Sequence, residues 1–423
     1  MDNTYLSNQY IFSTDPNITH INANEIILGG TGTGKTKSIV EPRLLHADSS
    51  SYVITATKRE IIDLYSISFH DKYYNIQKLD LIHPEYSELG FDPLEYLNNE
   101  RDYIWFASLI VNSAYTDSNN FDHYWTEAAI SLFAAEIDYL KKTENDTKIK
   151  ANLKNLIEFH NQIFIKDRGN MVTTNVDHLF QQISLNYPNS LAARGYKQLS
   201  ANAPKTANCI LSTLNNCLDK IFTEDITRLS ILDKKLDLNS FLDQKTILFI
   251  LTSPVDITLQ NYVSLIYGLL FKKFFTEAQY LPNYCLPIPV HFICDDFATG
   301  SKIPDFAHYI SVFRSIGISV TILLQDESQL ISLYGQADAT TIINNCDTLV
   351  YLGGNDIKSK QNMTYRTNKP LEFFISFKVG DLLICRRGED ILYDTRYNIY
   401  QDKEYQELNK LYEMNWGESC FLK

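Results

Sequence analysis

Short apolar runs bounded by polar residues or glycine recur along the chain: EIILGG (25–30), SYVITAT (51–57), TILFILT (246–252), VHFICDD (290–296), SVTILLQ (319–325) and TLVYLGG (348–354). Each is apolar at consecutive positions, the pattern of a strand buried on both faces, and each is too short for a core helix. Helical patterns fill most of the intervals between them. That alternation predicts an α/β fold, a mainly parallel sheet with helices on both sides. Between about Asn99 and Asp243 the pattern changes. YWTEAAISLFAAEIDYLKK, ANLKNLIEFHNQIF, TNVDHLFQQISL and CILSTLNNCLDKIF carry helical periodicity, and strand-like runs are nearly absent. This interval predicts an all-α domain inserted into a discontinuous α/β domain, dividing the chain into residues 1–98, 99–243 and 244–423. A polar turn, KKTENDTK (141–148), and the pair Tyr187-Pro188 are expected to separate its helices.

Length and composition fit that division. A chain of 423 residues, 44% of them hydrophobic, can bury the core of two or three domains. No repeat or low-complexity tract occurs, so order is expected everywhere except the first dozen and last ten residues. The seven cysteines are scattered and never spaced as C-x-x-C, which disfavours a disulfide framework or a zinc site and fits a reducing cytosol. The longest uncharged apolar run, YVSLIYGLLF (262–271), is about half of what a bilayer-spanning helix needs. The first residues, MDNTYLSNQY, lack the pattern of a secretion signal. A net charge of −13 excludes a general nucleic-acid coat and confines any DNA contact to a local basic channel.

The candidate chemistry lies at the ends of two of the predicted strands. GGTGTGKT, from Gly29 to Thr36, satisfies G-x-x-x-x-G-K-[ST] and follows an apolar strand into a helical stretch. By chance the four fixed positions recur in roughly one chain in a hundred of this length, so the strand before and the helix after supply the specificity. Gly29, Gly30, Thr31, Gly32, Thr33 and Gly34 let the backbone curl so that its N–H groups face a phosphate. Lys35 reaches the β and γ oxygens of a nucleotide, Thr36 supplies a hydroxyl for Mg2+, and Lys37 opens the helix. A second site is needed for the metal and for the attacking water. HFICDD places Asp295 and Asp296 at the C-terminal end of another strand, where α/β sheets bind ligands. ATP and Mg2+ are the ligands expected.

GGTGTGKT, FDHYWTEAA, ICDDFATGSKIPDF, SVFRSIGISVTILLQDESQL and IINNCDTLVYLGGND, in this order, resemble the type IV secretion coupling proteins, the TraG/TraD-type ATPases of bacterial conjugation. The resemblance runs from about residue 10 to 405. It implies a RecA-like P-loop NTPase domain bearing an all-α domain, working as a homo-hexamer at the inner face of the cell membrane. It also implies single-stranded DNA, or DNA linked to a relaxase, as substrate, and the components of the secretion channel as partners. Carried over by position, it makes Lys35, Asp296, Gln325 and Arg314 catalytic, and Thr36 and Asp295 the magnesium contacts. Gln325 falls where the family has a γ-phosphate sensor, and Arg314, eleven residues earlier, where such rings insert an arginine into the neighbouring site. From the residues alone, Gln325 reads as a strand-end amide and Arg314 as a surface charge on an amphipathic helix.

Three departures accompany the resemblance. Asp295-Asp296-Phe297-Ala298-Thr299 stands where the family usually has Asp-Glu-Phe-Ala-Asn, and Ala56-Thr57-Lys58-Arg59-Glu60 where it has Asp-Pro-Lys-Gly-Glu. The family's membrane helices do not occur in this sequence, so contact with the membrane is expected through partners or helices absent from it, and the segment after Gly353-Gly354-Asn355 is shortened. An Asp at 296 retracts the carboxylate by roughly 1 Å, a displacement that can cost about 100-fold in rate, or about 2.7 kcal/mol of barrier. A slow ATPase is therefore expected. Two other readings stay open: an ATP-binding adaptor that recruits substrate or a full-length coupling protein with weak or no hydrolysis, and a chromosome-handling DNA pump. His83, His123 and His160 show no ligand spacing and read as surface or satisfied core residues.

Overall fold

Alternate residues of each apolar run face opposite sides of one sheet, and both sides are covered. The computed structural model describes residues 2–113, 123–167, 172–295, 297 and 302–416. All six runs are strands: β3 (Glu25–Leu28), β4 (Ser51–Ala56), β8 (Thr246–Leu251), β9 (Val290–Cys294), β10 (Ile318–Leu324) and β11 (Thr348–Tyr351). Ile26, Val53, Leu248, Phe292 and Ile322 belong to the core on one face, and Ile27, Ile54, Phe249, Ile293 and Leu323 to the core on the other. Three further strands complete the sheet: β5 (Asn75–Asp80), β12 (Asp381–Arg386) and β13 (Leu392–Thr395). The order is β13-β12-β11-β3-β10-β9-β4-β8-β5, with β12 and β13 antiparallel and the other seven parallel. β5, at one edge of the sheet, carries four polar residues, Asn75, Gln77, Lys78 and Asp80.

The face that contains Ile27 is covered by the helical run that follows the glycine loop and by the helices Arg59–Asp71 and Lys403–Trp416. The other face is covered by Ile257–Ala278, whose apolar run Tyr262–Phe271 is wholly buried, by Phe306–Ile316 and Glu327–Asn344, and by helices from the 99–243 interval. Among the described residues no helix is long and apolar enough to cross a membrane. The 99–243 interval holds the helices Glu100–Ser113, His123–Thr147, Leu153–Asn161, Asp177–Asn186, Leu191–Ser200 and Pro204–Asp219. It also holds a hairpin of β6 (Ile165–Asp167) and β7 (Val172–Thr174).

Two expectations need correction. The KKTENDTK turn does not separate helices at Lys141: the helix continues to Thr147, with Thr143 and Thr147 hydroxyls donating to the carbonyls of Tyr139 and Thr143. The break falls at Lys148, in the left-handed region at φ 59°. From Asp2 onward the N-terminal residues are ordered: β1 (Asn3–Tyr5) pairs with β2 (Ile11–Ser13). Asp2 anchors them by accepting from the backbone N–H groups of Ser49 and Ser50 and from the Tyr52 hydroxyl. The described cysteines are free thiols.

A buried polar cluster orients the helical run after the glycine loop. Arg43, on that run, pairs with Glu25 of β3 at 2.7 Å. It also donates to Thr321 of β10, which accepts from or donates to His291 of β9 at 2.8 Å. One guanidinium thus ties the run to three neighbouring strands, with its charge compensated.

In the helical interval, His160 is the satisfied core histidine its isolation predicted. Its Nδ1 lies 3.0 Å from both Glu136 oxygens, in the protein interior, and its Nε2 2.8 Å from Oδ1 of the exposed Asn215. Burial disfavours the charged ring, but the Glu136 carboxylate and the hydrogen bonds to Glu136 and Asn215 outweigh it, and the His160 pKa is raised above its ordinary value. A raised folded-state pKa gives stability that is complete below the unfolded value of about 6.5 and is lost as pH rises through the folded one. Thermal unfolding from pH 5.5 to 9 will show this loss for the parent, and His160→Gln will flatten it. Identical pH slopes would show that the ring is neutral in the fold.

Candidate nucleotide site

The glycine loop leaves β3 at the C-terminal edge of the sheet and enters a helical run formed by a π-turn, Thr36–Val40, and an α-helix, Glu41–Leu45. The π-turn has a local cause. Pro42 has no N–H to return to the Ser38 carbonyl and its ring crowds that carbonyl, so the turn widens and Glu41 N–H bonds instead to Thr36. Gly32 and Gly34 have φ of 77° and 81°, which bends the loop back over the strand ends. Gly30 N–H donates to the Gly353 carbonyl at 3.0 Å, and Gly354 packs so closely on Gly30 that a Cβ on it would lie 3.4 Å from the Gly30 nitrogen. The glycine pair that ends β11 is therefore the floor of the loop.

Strand order brings the remaining groups together. β10 lies between β3, which carries the loop, and β9, which Asp295 directly follows. Two strand spacings separate their ends by roughly 10 Å. Thr36 crosses part of this gap, and its Oγ1 donates to Asp295 Oδ2 at 3.2 Å. Gln325 ends the intervening strand, exposed, and lines with Gly30–Thr33 and Gly353–Asp356 a cleft of about 450 Å³. Lys35 Nζ donates to the loop's own Gly29 carbonyl at 2.6 Å, with Gly30 at 3.4 Å. A larger cavity, about 650 Å³, lies between the helix Glu100–Ser113, residues 302–308 and the kinked helix at Gly335. It contains none of residues 29–37, Asp295, Arg314 or Gln325, and the chemistry argues for the smaller cleft.

The other expected residues are placed as follows. The Lys37 ammonium is held by Glu41 at 2.8 Å and Tyr405 at 3.2 Å, so what Lys37 offers the loop is backbone. Arg314 is exposed near the C-terminus of the helix Phe306–Ile316, which ends at Gly317 where β10 begins. A seven-residue strand, roughly 20 Å, separates that edge from Gln325. Arg314 does not reach its own chain's loop, and a role on nucleotide requires a second copy of the chain. Asp296 lies outside the described residues. Sequence reasoning missed two features, Gly353-Gly354 and Arg396. Arg396 follows β13, donates from Nη1 to the Thr33 carbonyl and covers Gly34. The glycine pair had a signal in its position after an apolar strand, but the stretch DTRYN around Arg396 carries none.

Thr36 and Asp295 fit a magnesium ion. Both offer hard oxygen donors, and a hydroxyl and a carboxylate beside a phosphate cradle form the partial set that Mg2+ takes with water and phosphate completing its shell.

A parallel sheet with a glycine loop and an acidic strand end on either side of one inserted strand defines a RecA-like P-loop NTPase fold. The family described as Type IV secretory system Conjugative DNA transfer matches residues 3–365, and the chain belongs to that family. No curated protein sequence matches the chain. Similar solved structures include the bacterial conjugative coupling protein TrwBdeltaN70 in complex with sulphate, 17% identical with a TM-score of 0.64. Plasmid coupling protein TrwB in complex with the non-hydrolysable ATP analogue ADPNP is also 17% identical, TM-score 0.64, and TrwB in complex with ADP and Mg2+ is 15% identical, TM-score 0.62. Each match covers 88% of this chain and 85% of the other. At these identities the likeness establishes the shared fold.

The two left-handed glycines give a test of the loop. A Cβ at Gly32 meets nothing within 4 Å, whereas one at Gly34 would lie 2.5 Å from Arg396 Nη1. Gly32→Ala is expected to cost only the backbone term, about 1–2 kcal/mol in urea unfolding. Gly34→Ala should cost more, because the guanidinium must also move. Equal losses would show that Arg396 does not rest on the loop.

Proposed function

We propose that the protein is an ATPase that couples ATP binding and slow hydrolysis to the recruitment and transfer of single-stranded DNA, or of relaxase-linked DNA, in bacterial conjugation. The observation that carries this reading is the 3.2 Å contact between Thr36 and Asp295, which joins the phosphate loop to the acidic strand end. Family membership supplies the DNA-transfer context, and the TrwB structures with ADPNP and with ADP and Mg2+ support ATP and magnesium as ligands.

In this reading the loop N–H groups and Lys35 bind the β and γ phosphates, with Lys35 exchanging its carbonyl partners for phosphate oxygens. Thr36 and Asp295 hold Mg2+, which when bound neutralises developing charge on the phosphates. Gln325, on the strand between them, orients the attacking water, and Asp296 polarises it. Arg314 acts on the nucleotide of a neighbouring subunit in a homo-hexamer, consistent with its distance from its own loop. Residues 1–98 and 244–423 form the nucleotide-binding domain and residues 99–243 the helical domain expected as all-α, which also carries the β6–β7 pair; the division is supported by all nine strands of the large sheet coming from outside 99–243. The site of action is the cytoplasmic face of the cell membrane, beside the secretion channel, reached through partners or membrane segments outside this sequence.

ATP turnover measured with and without single-stranded DNA tests the proposal. Lys35→Ala should lower it by roughly 100-fold or more, the usual loss when a preorganised charge on a transferring group is removed. Asp296→Glu should raise it, by up to about 100-fold. Turnover unchanged in Lys35→Ala would refute the ATPase reading. ATP-dependent partner binding without turnover, in the parent and in Asp296→Glu alike, would select the adaptor.

A further inference from the structure

The Arg396 side chain is a charge without a counter-charge. Its backbone is fixed by an N–H bond to the Gly380 carbonyl at 2.9 Å and by a bridge to Ser7, so the hairpin β12–β13 sets where the side chain starts. The guanidinium then reaches the glycine loop, donates to one neutral carbonyl, Thr33, and lies over Gly34. It is half-buried. A guanidinium has five N–H donors and never deprotonates, so one carbonyl leaves most of its hydrogen-bonding capacity and all of its charge uncompensated.

Among the described arginines, those without an ion pair are Arg101, Arg228 and Arg314, which are exposed to solvent, and Arg396, which is half-buried; the others are matched. Arg43 pairs with Glu25, Arg59 with Asp80, Arg366 with Glu327 and Arg387 with Asp347. Arg396 forms no ion pair among the described residues, and two positions earlier Asp394 keeps Oδ2 buried without a hydrogen-bond partner, so Arg396 has not turned to it. A partly desolvated cation is costly unless an anion joins it. The anion that belongs beside Thr33 and Gly34 is the polyphosphate that the loop is shaped to hold.

We propose that Arg396 is a phosphate ligand contributed in cis by the C-terminal hairpin, and that it exchanges the Thr33 carbonyl for phosphate oxygens when a nucleoside triphosphate binds. The inference rests on the reading of the loop as a nucleotide site. It adds to that site a residue 363 positions beyond Thr33 and makes the β12–β13 edge responsive to occupancy.

Calorimetric titration of the full chain with Mg-ATP and with inorganic tripolyphosphate, which lacks base and sugar, tests it alongside thermal unfolding of the unliganded proteins. Arg396→Ala should weaken both ligands by the same factor, about 10- to 100-fold for a charge-assisted hydrogen bond, and Arg396→Lys by less. The unliganded Arg396→Ala protein should melt no lower than the parent, because the charge removed was uncompensated. Unchanged affinities with a lowered melting temperature would overturn the proposal and make Arg396 a brace for the loop. A loss for ATP but not for tripolyphosphate would overturn it by moving the contact to base or sugar. Failure of the parent itself to bind either ligand would refute the underlying nucleotide reading, an outcome distinct from both.

Discussion

The site depends on where one strand is inserted. Because β10 lies between β3 and β9, the glycine loop and Asp295 face each other across two strand spacings rather than one, and Thr36 meets the carboxylate across that gap. Were β3 and β9 direct neighbours, the loop and the acid would leave no room for a phosphate and a hydrated cation between them. The strand that opens the gap also leads into Gln325, which lines the cleft beside Gly30–Thr33. The rest of the molecule maintains this order. Helices on both faces bury the parallel strands, and the cluster of Arg43, Glu25, Thr321 and His291 links β3, β10 and β9 to the helical run that follows the loop.

Electrostatics at the loop follow from the same arrangement. Lys35 donates to the Gly29 carbonyl and Arg396 to that of Thr33, contacts with the loop that each side chain serves. Such contacts are weaker than charge-assisted bonds to phosphate, and exchanging them favours an anionic ligand. Lys37 differs, since Glu41 already holds its ammonium.

Much of this was legible in the residues. The six apolar runs were readable as strands because both faces of the sheet are buried, which leaves a continuous apolar string. NIQKLD of β5 and LYDT of β13 were not, because polar residues interrupt these two edge strands, while the apolar run LLIC of β12 carried a signal that was passed over. The loop and Asp295 were readable from spacing and strand context. Arg396 was not, because its role arises from sheet order, which brings a C-terminal hairpin beside an N-terminal loop without any local signature. Arg314 illustrates the converse. Its motif position is clear, yet the fold places it at the opposite edge of the sheet from the loop, so any catalytic role belongs to an assembly rather than to the single chain.

The most direct measurement of this account is a crystal structure of the chain with Mg2+ and a non-hydrolysable ATP analogue. The account predicts the triphosphate inside the curl of residues 29–36, Lys35 turned from Gly29 onto phosphate, and the cation between Thr36 and Asp295. An analogue seated in the cavity beside Trp105 and Tyr334, with Lys35 still on its own loop, would contradict it.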